Sequence, residues 1–197
     1  MTTPTGGSAG VVPAVAYALV ESKRKVPMRK IREGLLAGLA VGYLCKHNAT
    51  LAAAEGGCQS EIGVASAMAA ALIAQAMDSS PQVIENAAES ALEHHLGMSC
   101  EPVAGYVQVP CIERWAFGAV KAWTAFMVAT NEIASRHRVD LDTTIKTLAD
   151  TGRDMNAKYK REPGTLLKPN TAGKGAPDVR TRLANSRDRQ AYLSRSV

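Results

Sequence analysis

Between Ser60 and Met77 nearly every residue is alanine, isoleucine, valine or methionine. A helix of that composition has no polar face to offer water, so the stretch reads as a helix buried on most of its sides. The neighbouring segments read as helices too. Val12 to about Lys25 carries apolar residues at Val15, Ala18 and Leu19, and Met28 to Lys46 carries Ile31, Leu35, Leu36, Leu39 and Leu44. In the second of these, Gly34, Gly38 and Gly42 recur at i, i+4 spacing, a row that lets another helix approach closely. Ser80-Pro81 combines an N-cap residue with proline at the first helical position and predicts a helix to about His95. Ile112 to Arg136 and Asp140 to Lys160 complete the set, the last capped by Asp140. No window alternates strictly between apolar and polar residues, so no strand is expected. The fold class is all-α: a compact bundle of about six helices with loops between them.

At 197 residues the chain is long enough to bury a sizeable core. Aromatics are only 5% against 46% hydrophobic residues, which suits helices in close contact. The charges and glycines leave no apolar run long enough to span a bilayer, and the N-terminus lacks the basic-then-apolar pattern of a secretory signal. Charge is uneven. From residue 160 onward there are nine Lys/Arg against Glu162, Asp178 and Asp188, a net of +6 in a chain whose total is +5, so the body is close to neutral. Pro163-Gly164, Pro169-Asn170 and Gly173 to Pro177 break helices. Residues 161–197 therefore read as an extended basic arm, distinct from a domain over residues 1–160. Without interleaved aromatics or a nucleic-acid motif, the arm suits a solvated or partner-docked segment and not a nucleic-acid binder.

Chemistry concentrates in three cysteines. Cys58, Cys100 and Cys111 stand as Glu-Gly-Gly-Cys-Gln, Met-Ser-Cys-Glu-Pro and Val-Pro-Cys-Ile-Glu-Arg, 42 and then 11 residues apart. Each lies beside glycine or proline, and loop backbone of that kind lets thiolates converge. Three soft ligands suit zinc or an iron–sulfur cluster, and the bland alternative is three inert buried thiols. Cys45 falls inside the second helix and reads as a buried thiol. Thr3-Pro-Thr-Gly-Gly-Ser-Ala-Gly10 is a small-residue loop feeding a helix, where free N–H groups with the hydroxyls of Thr5 and Ser8 suit a carboxylate. Glu55, three residues before Cys58, could bond a substrate ammonium, move a proton, or simply cap. His94 and His95 suit holding the neighbouring loop by hydrogen bonds better than binding metal.

These segments, in order, resemble the catalytic α-domain of iron–sulfur-dependent L-serine dehydratases. The resemblance runs through Thr3–Gly10, Asn48-Ala49, Ala54–Gly63, Glu85–Glu89, Glu93-His94, Leu96–Pro102, Val107–Arg114 and Ile145–Lys158, and covers roughly residues 2–160. It implies a [4Fe–4S] cluster on Cys58, Cys100 and Cys111, with one iron open to act as a Lewis acid on the leaving hydroxyl of L-serine or a related β-hydroxy amino acid. It implies a substrate site at Thr3, Thr5, Gly6, Gly7, Ser8 and Asn48, with Glu55 as the candidate catalytic carboxylate, and no pyridoxal phosphate. A cluster needs reduced thiolates, which points to the cytoplasm. The family's α-domain begins well before the Thr-Pro-Thr loop and works with a β-domain, so a second subunit is expected to supply both.

The chain departs from the family's pattern at Glu101, where Asp is usual, at Trp115, where Asn is usual, and at Ala52-Ala53-Ala54, where Ser-Gly-Ala is common. Some members also bring a C-terminal cysteine to the open iron, and this chain has none after Cys111. These changes point to an altered pocket. The alternatives are a lyase tailored to a larger β-substituted amino acid or to cysteine, or a non-catalytic subunit that holds zinc or serves structurally.

Overall fold

The computed structural model describes residues 9–22, 25–100 and 110–160. They form seven α-helices and no strand: α1 (Val11–Glu21), α2 (Met28–Asn48), a short α3 (Ala53–Gly56), α4 (Val64–Ala76), α5 (Pro81–Glu93), α6 (Cys111–Asn131) and α7 (Leu141–Asp154). The all-α expectation holds. The expected basic arm over residues 161–197 lies outside the described residues, and so does the boundary drawn at its start. No helix among the described residues is long and apolar enough to cross a membrane.

The apolar run is the centre of the bundle. Every residue of α4 except Gln75 is buried, and α1, α2, α5 and α6 pack around it. Its small side chains permit that crowding. Along α2, a Cβ placed on Gly34 would lie 2.5 Å from the Leu72 carbonyl oxygen, one on Gly38 2.7 Å from that of Met68, and one on Gly42 2.8 Å from the Met68 sulfur. The glycine row thus lets two helices meet backbone to backbone, as its spacing implies. Leu72, fully buried at this contact, is the kind of side chain whose truncation to alanine costs about 2–5 kcal/mol.

Both expected caps are present. Ser80 accepts a hydrogen bond from the Val83 amide at 3.4 Å with Pro81 at the first helical position, and Asp140 accepts one from the Thr143 amide at 2.7 Å. Several helix boundaries differ from the sequence pattern. The helix expected from Ser60 begins with a wide π-turn over Gln59–Gly63 before α4 proper. The helix expected from Ile112 to Arg136 stops at Asn131, and a 3-10 turn follows at Ala134–Arg136. The cause of the second break is a tertiary contact: the Asn86 side-chain amide donates to Glu132 Oε1 at 3.0 Å and to the Ala134 carbonyl at 3.1 Å, drawing the chain off the helix axis. Similarly, the segment expected to run as one helix to Lys160 leaves α7 after Asp154 and closes in a 3-10 turn over Ala157–Tyr159.

Candidate functional site

Three chain segments bring the cysteines together. Cys58 is fully buried between α3 and the π-turn, and Cys111 is the buried first residue of α6. Cys100 ends the described stretch after α5, its amide donating to the Tyr159 carbonyl at 2.7 Å. Gly57 turns the chain at φ +77°, a left-handed conformation that glycine adopts without steric cost, and any Cβ there would meet the Met98 carbonyl oxygen at 2.7 Å. The Cys58 and Cys100 loops are pressed together at that point.

Gln59 ties them. Fully buried, it accepts from the Gly97 amide at 2.8 Å through its side-chain oxygen and donates to the Leu148 carbonyl at 3.3 Å through its nitrogen. Its own amide bonds the Met98 carbonyl at 3.1 Å. Arg114, one turn into α6 from Cys111, donates to the Ser99 carbonyl at 2.6 Å and so fastens the third loop to the second. The sequence motifs contain both residues, but their bridging roles depend on partners 15 to 89 positions away and have no local signature.

The thiols sense one another. A hydrogen bond with Cys100, then burial, raises the pKa of Cys58, while Arg114 works in the opposite direction. The same hydrogen bond lowers the pKa of Cys100, against burial and against Cys111 and Glu61. Burial raises Cys111, again with Arg114 opposing. In that bond Cys58 is the donor and Cys100 the acceptor. All four cysteines are free, and Cys45, off to one side in α2, is inert with its pKa pushed up to about 12 by burial. Among the described residues no three His, Cys, Asp or Glu side chains are grouped to hold a metal ion. The donor set nevertheless has the chemistry of an iron–sulfur site: three soft sulfurs within electrostatic reach of one another and a guanidinium beside them.

One further polar group here is left over. Among the described residues Ser60 Oγ is buried without a hydrogen-bond partner, and it sits where a Cβ on Gly56 would lie 2.0 Å away. Wide π-turns such as this one are frequent at functional sites.

His95 is buried, with Nδ1 on the Ala91 carbonyl at 2.6 Å and its ring against Gly63 of the π-turn. Burial lowers its pKa to about 4, the Ala91 bond only partly opposing, so it stays neutral and holds the loop. His94 is exposed, with Nδ1 on the Ser90 carbonyl at 2.8 Å.

Glu55 is exposed, and its Oε2 accepts from Thr50 Oγ1 at 2.5 Å. Both line a cleft of about 570 Å³ that also takes in Ala54, Gly152, Arg153 and Lys160. Asn48 is not part of it: its side chain donates back to the Leu44 carbonyl at 3.0 Å and borders a neighbouring groove with Lys146 and Asp150. Thr3, Thr5, Gly6, Gly7 and Ser8 lie outside the described residues. Trp115 is half-buried on α6, four residues after Cys111, against the start of α1.

An all-helical domain with three converging thiols in glycine- and proline-flanked loops defines a class, and comparison with known proteins gives the family. The serine dehydratase alpha chain family matches residues 1–168, and the chain belongs to it. The L-serine dehydratase TdcG of Escherichia coli K12 is 49% identical over 160 residues. An L-serine dehydratase of Helicobacter pylori J99 is 47% identical over 161, and one of Streptomyces coelicolor is 46% identical over 160. Each match takes in 81% of this chain but 35% of the relative, so the chain spans about a third of the length of these curated relatives.

Proposed function

We propose that this chain is the cysteine-bearing part of an iron–sulfur-dependent dehydratase that converts L-serine, or a related β-hydroxy amino acid, into a 2-oxo acid and ammonia. The observation that carries the reading is the convergence of Cys58, Cys100 and Cys111 around Arg114 in a chain of this family. The three thiolates would hold a [4Fe–4S] cluster, which supplies Lewis-acid chemistry toward the β-hydroxyl.

The protein's own residues do the rest. Arg114 offsets the negative charge gathered by three thiolates, and Gln59 and His95 keep their loops from spreading. Residues 3–8 hold the substrate carboxylate on backbone N–H groups and the hydroxyls of Thr3, Thr5 and Ser8. Glu55, steadied by Thr50 and open to solvent, bonds the substrate ammonium or receives the Cα proton. Losing that proton and the β-hydroxyl leaves an enamine, which tautomerises to an imine and is hydrolysed. A second dehydratase subunit completes the site, and the complex works in the cytoplasm, where thiols stay reduced.

The test is anaerobic purification of the chain with its partner. Iron, acid-labile sulfide and brown colour are expected in the wild type and lost on Cys100→Ser, with 2-oxo acid formed from L-serine. A second reading has one observation in its favour, the absence of a compact three-donor group among the described residues. In it the chain is a non-catalytic subunit with its thiols buried or on zinc. Zinc or no metal on analysis, with unchanged activity of the complex after cysteine substitution, selects that reading.

A further inference from the structure

Between Ile112 and Asn131, α6 has only three charged residues, Glu113, Arg114 and Lys121. One face is spent on the core, with Gly118, Ala122, Ala125 and Ala129 buried against the bundle. The opposite face is apolar too. Phe117 is 68% exposed, Val120 62%, Met127 61% and Val128 52%. A helix apolar on both sides is not built to meet water. The outer face of α2 differs. Its exposed Leu36, Leu39 and Tyr43 stand among exposed Arg29, Arg32 and Lys46, a mixture that water tolerates.

The α6 face has the period of a helix-pairing seam. Phe117, Val120, Thr124 and Met127 follow one another at steps of three, four and three, and Thr124 turns its hydroxyl back onto the Val120 carbonyl at 3.1 Å. At the edge of the seam, between α5 and α6, lies a pocket of about 240 Å³ lined by Ser90, His94, Lys121, Thr124 and Val128. Lys121 is half-buried there, and burial lowers its pKa. Its amine donates to the His94 carbonyl at 2.8 Å, and among the described residues its other N–H groups meet no carboxylate. An ammonium partly out of water with donors still to place calls for an acid.

We propose that this face of α6 is where the second dehydratase subunit docks, through an apolar helix that carries an aspartate or glutamate onto Lys121. The inference rests on the reading above that a second subunit completes the site. The apolar stripe supplies the contact that excludes water, and the carboxylate fixes the register of one helix on the other. Since α6 begins at Cys111, the subunit is anchored on the helix that carries one of the three thiols.

The test uses the two-subunit complex purified anaerobically. Val120→Asp should raise the dissociation constant by about thirtyfold or more, and Lys121→Met by about tenfold, as read by sedimentation. Leu36→Asp, on the outer face of α2, should leave it unchanged. A water-soluble carbodiimide, which joins an amine to a carboxyl with loss of water, should link Lys121 of the wild type to an acidic residue of the second subunit, located by mass spectrometry. Association indifferent to both α6 variants overturns the proposal, as does a Lys121 crosslink found only within this chain. A chain that dimerises alone, and stops doing so in Val120→Asp, overturns it in favour of a second copy as the occupant. Where a variant fails to fold, hydrogen–deuterium exchange at residues 117–128 of the wild type decides. Protection in the complex relative to the chain alone supports the proposal, and its absence overturns it. A complex that assembles through α6 but holds no iron overturns the proposed function and leaves this inference standing. A chain that holds iron and forms 2-oxo acid with no second subunit overturns the partner reading instead.

Discussion

Two buried polar clusters sit at opposite extremes of self-sufficiency. In the first, Glu89 of α5 is fully buried, and one carboxylate oxygen accepts from Thr144 Oγ1 at 2.7 Å while the other faces His137 Nε2 at 2.9 Å. His137 Nδ1 faces Glu132 Oε1 at 3.0 Å, and Asn86 donates to that same oxygen. With carboxylates on both nitrogens, the ring must donate twice, which only imidazolium does. Every group in this knot has its partner within the chain. In the second cluster, two thiols share one hydrogen bond, a third is near, and a serine hydroxyl has no partner among the described residues. Among the described residues, the buried polar groups of the first cluster are all paired and one of the second is not, which sets the second apart as the place where a partner is still to be accounted for.

The comparison breaks most directly at Glu89. Replacing it with alanine strands the imidazolium and Thr144, and should cost about 3–5 kcal/mol of stability by urea unfolding. Thiol reactivity should be unaltered in whatever fraction remains folded; a loss below about 1 kcal/mol would mean the knot is not the structural tie described here.

At the open cluster, Gln59→Ala removes two side-chain bonds from buried backbone groups. It should cost about 2 kcal/mol and, unlike the change at Glu89, should make Cys58 and Cys100 more reactive toward a thiol reagent in the native state.

The alkaline side of the stability curve sharpens the contrast further. Burial alone would lower the pKa of His137, but hydrogen bonds to Glu132 and then Glu89, with their charges, outweigh it and raise the value. The stabilisation is therefore complete below the unfolded pKa of about 6.5 and is lost as pH rises through the higher folded value. The stability advantage of wild type over His137→Gln should shrink across that window. Comparing the two proteins cancels the titration of the thiols, and a difference that stays flat with pH would show the ring to be neutral.

The smallest effect is expected at Ser60. With no partner to lose among the described residues, Ser60→Ala should change stability by less than about 0.5 kcal/mol in the apo protein or raise it slightly. A loss of more than about 1 kcal/mol would reveal a partner and blur the distinction between the two clusters.

Much of this architecture is legible in the amino-acid sequence. The apolar run of α4, the glycine row of α2 and the caps at Ser80 and Asp140 each express a local rule, and each is realised as read. The polar knot is not legible, because Glu89 and His137 are 48 residues apart and nothing in either neighbourhood announces the other. Nor is the end of α6, whose apolar period continues past Asn131 while Asn86 and Glu132 pull the chain aside. At the site, the cysteines stand out by residue type and flanking glycines. The bridging work of Gln59 and Arg114 emerges only from three-dimensional packing, and so does the bond of Asn48 back to the Leu44 carbonyl of its own helix.

The π-turn over Gln59–Gly63 carries a consequence for how this segment tolerates changes in length. Such a turn accommodates one residue more than an α-helix would. Deleting one of the five would favour ordinary helix running straight into α4, at the expense of the buried contacts of Gln59, Ile62 and Gly63. The residues just upstream would have to rotate by about 100° and draw in by about 1.5 Å along the α4 axis, carrying Cys58 away from Cys100 and Cys111. A single lost residue would therefore part the sulfurs through backbone geometry, whatever side chains the segment carries.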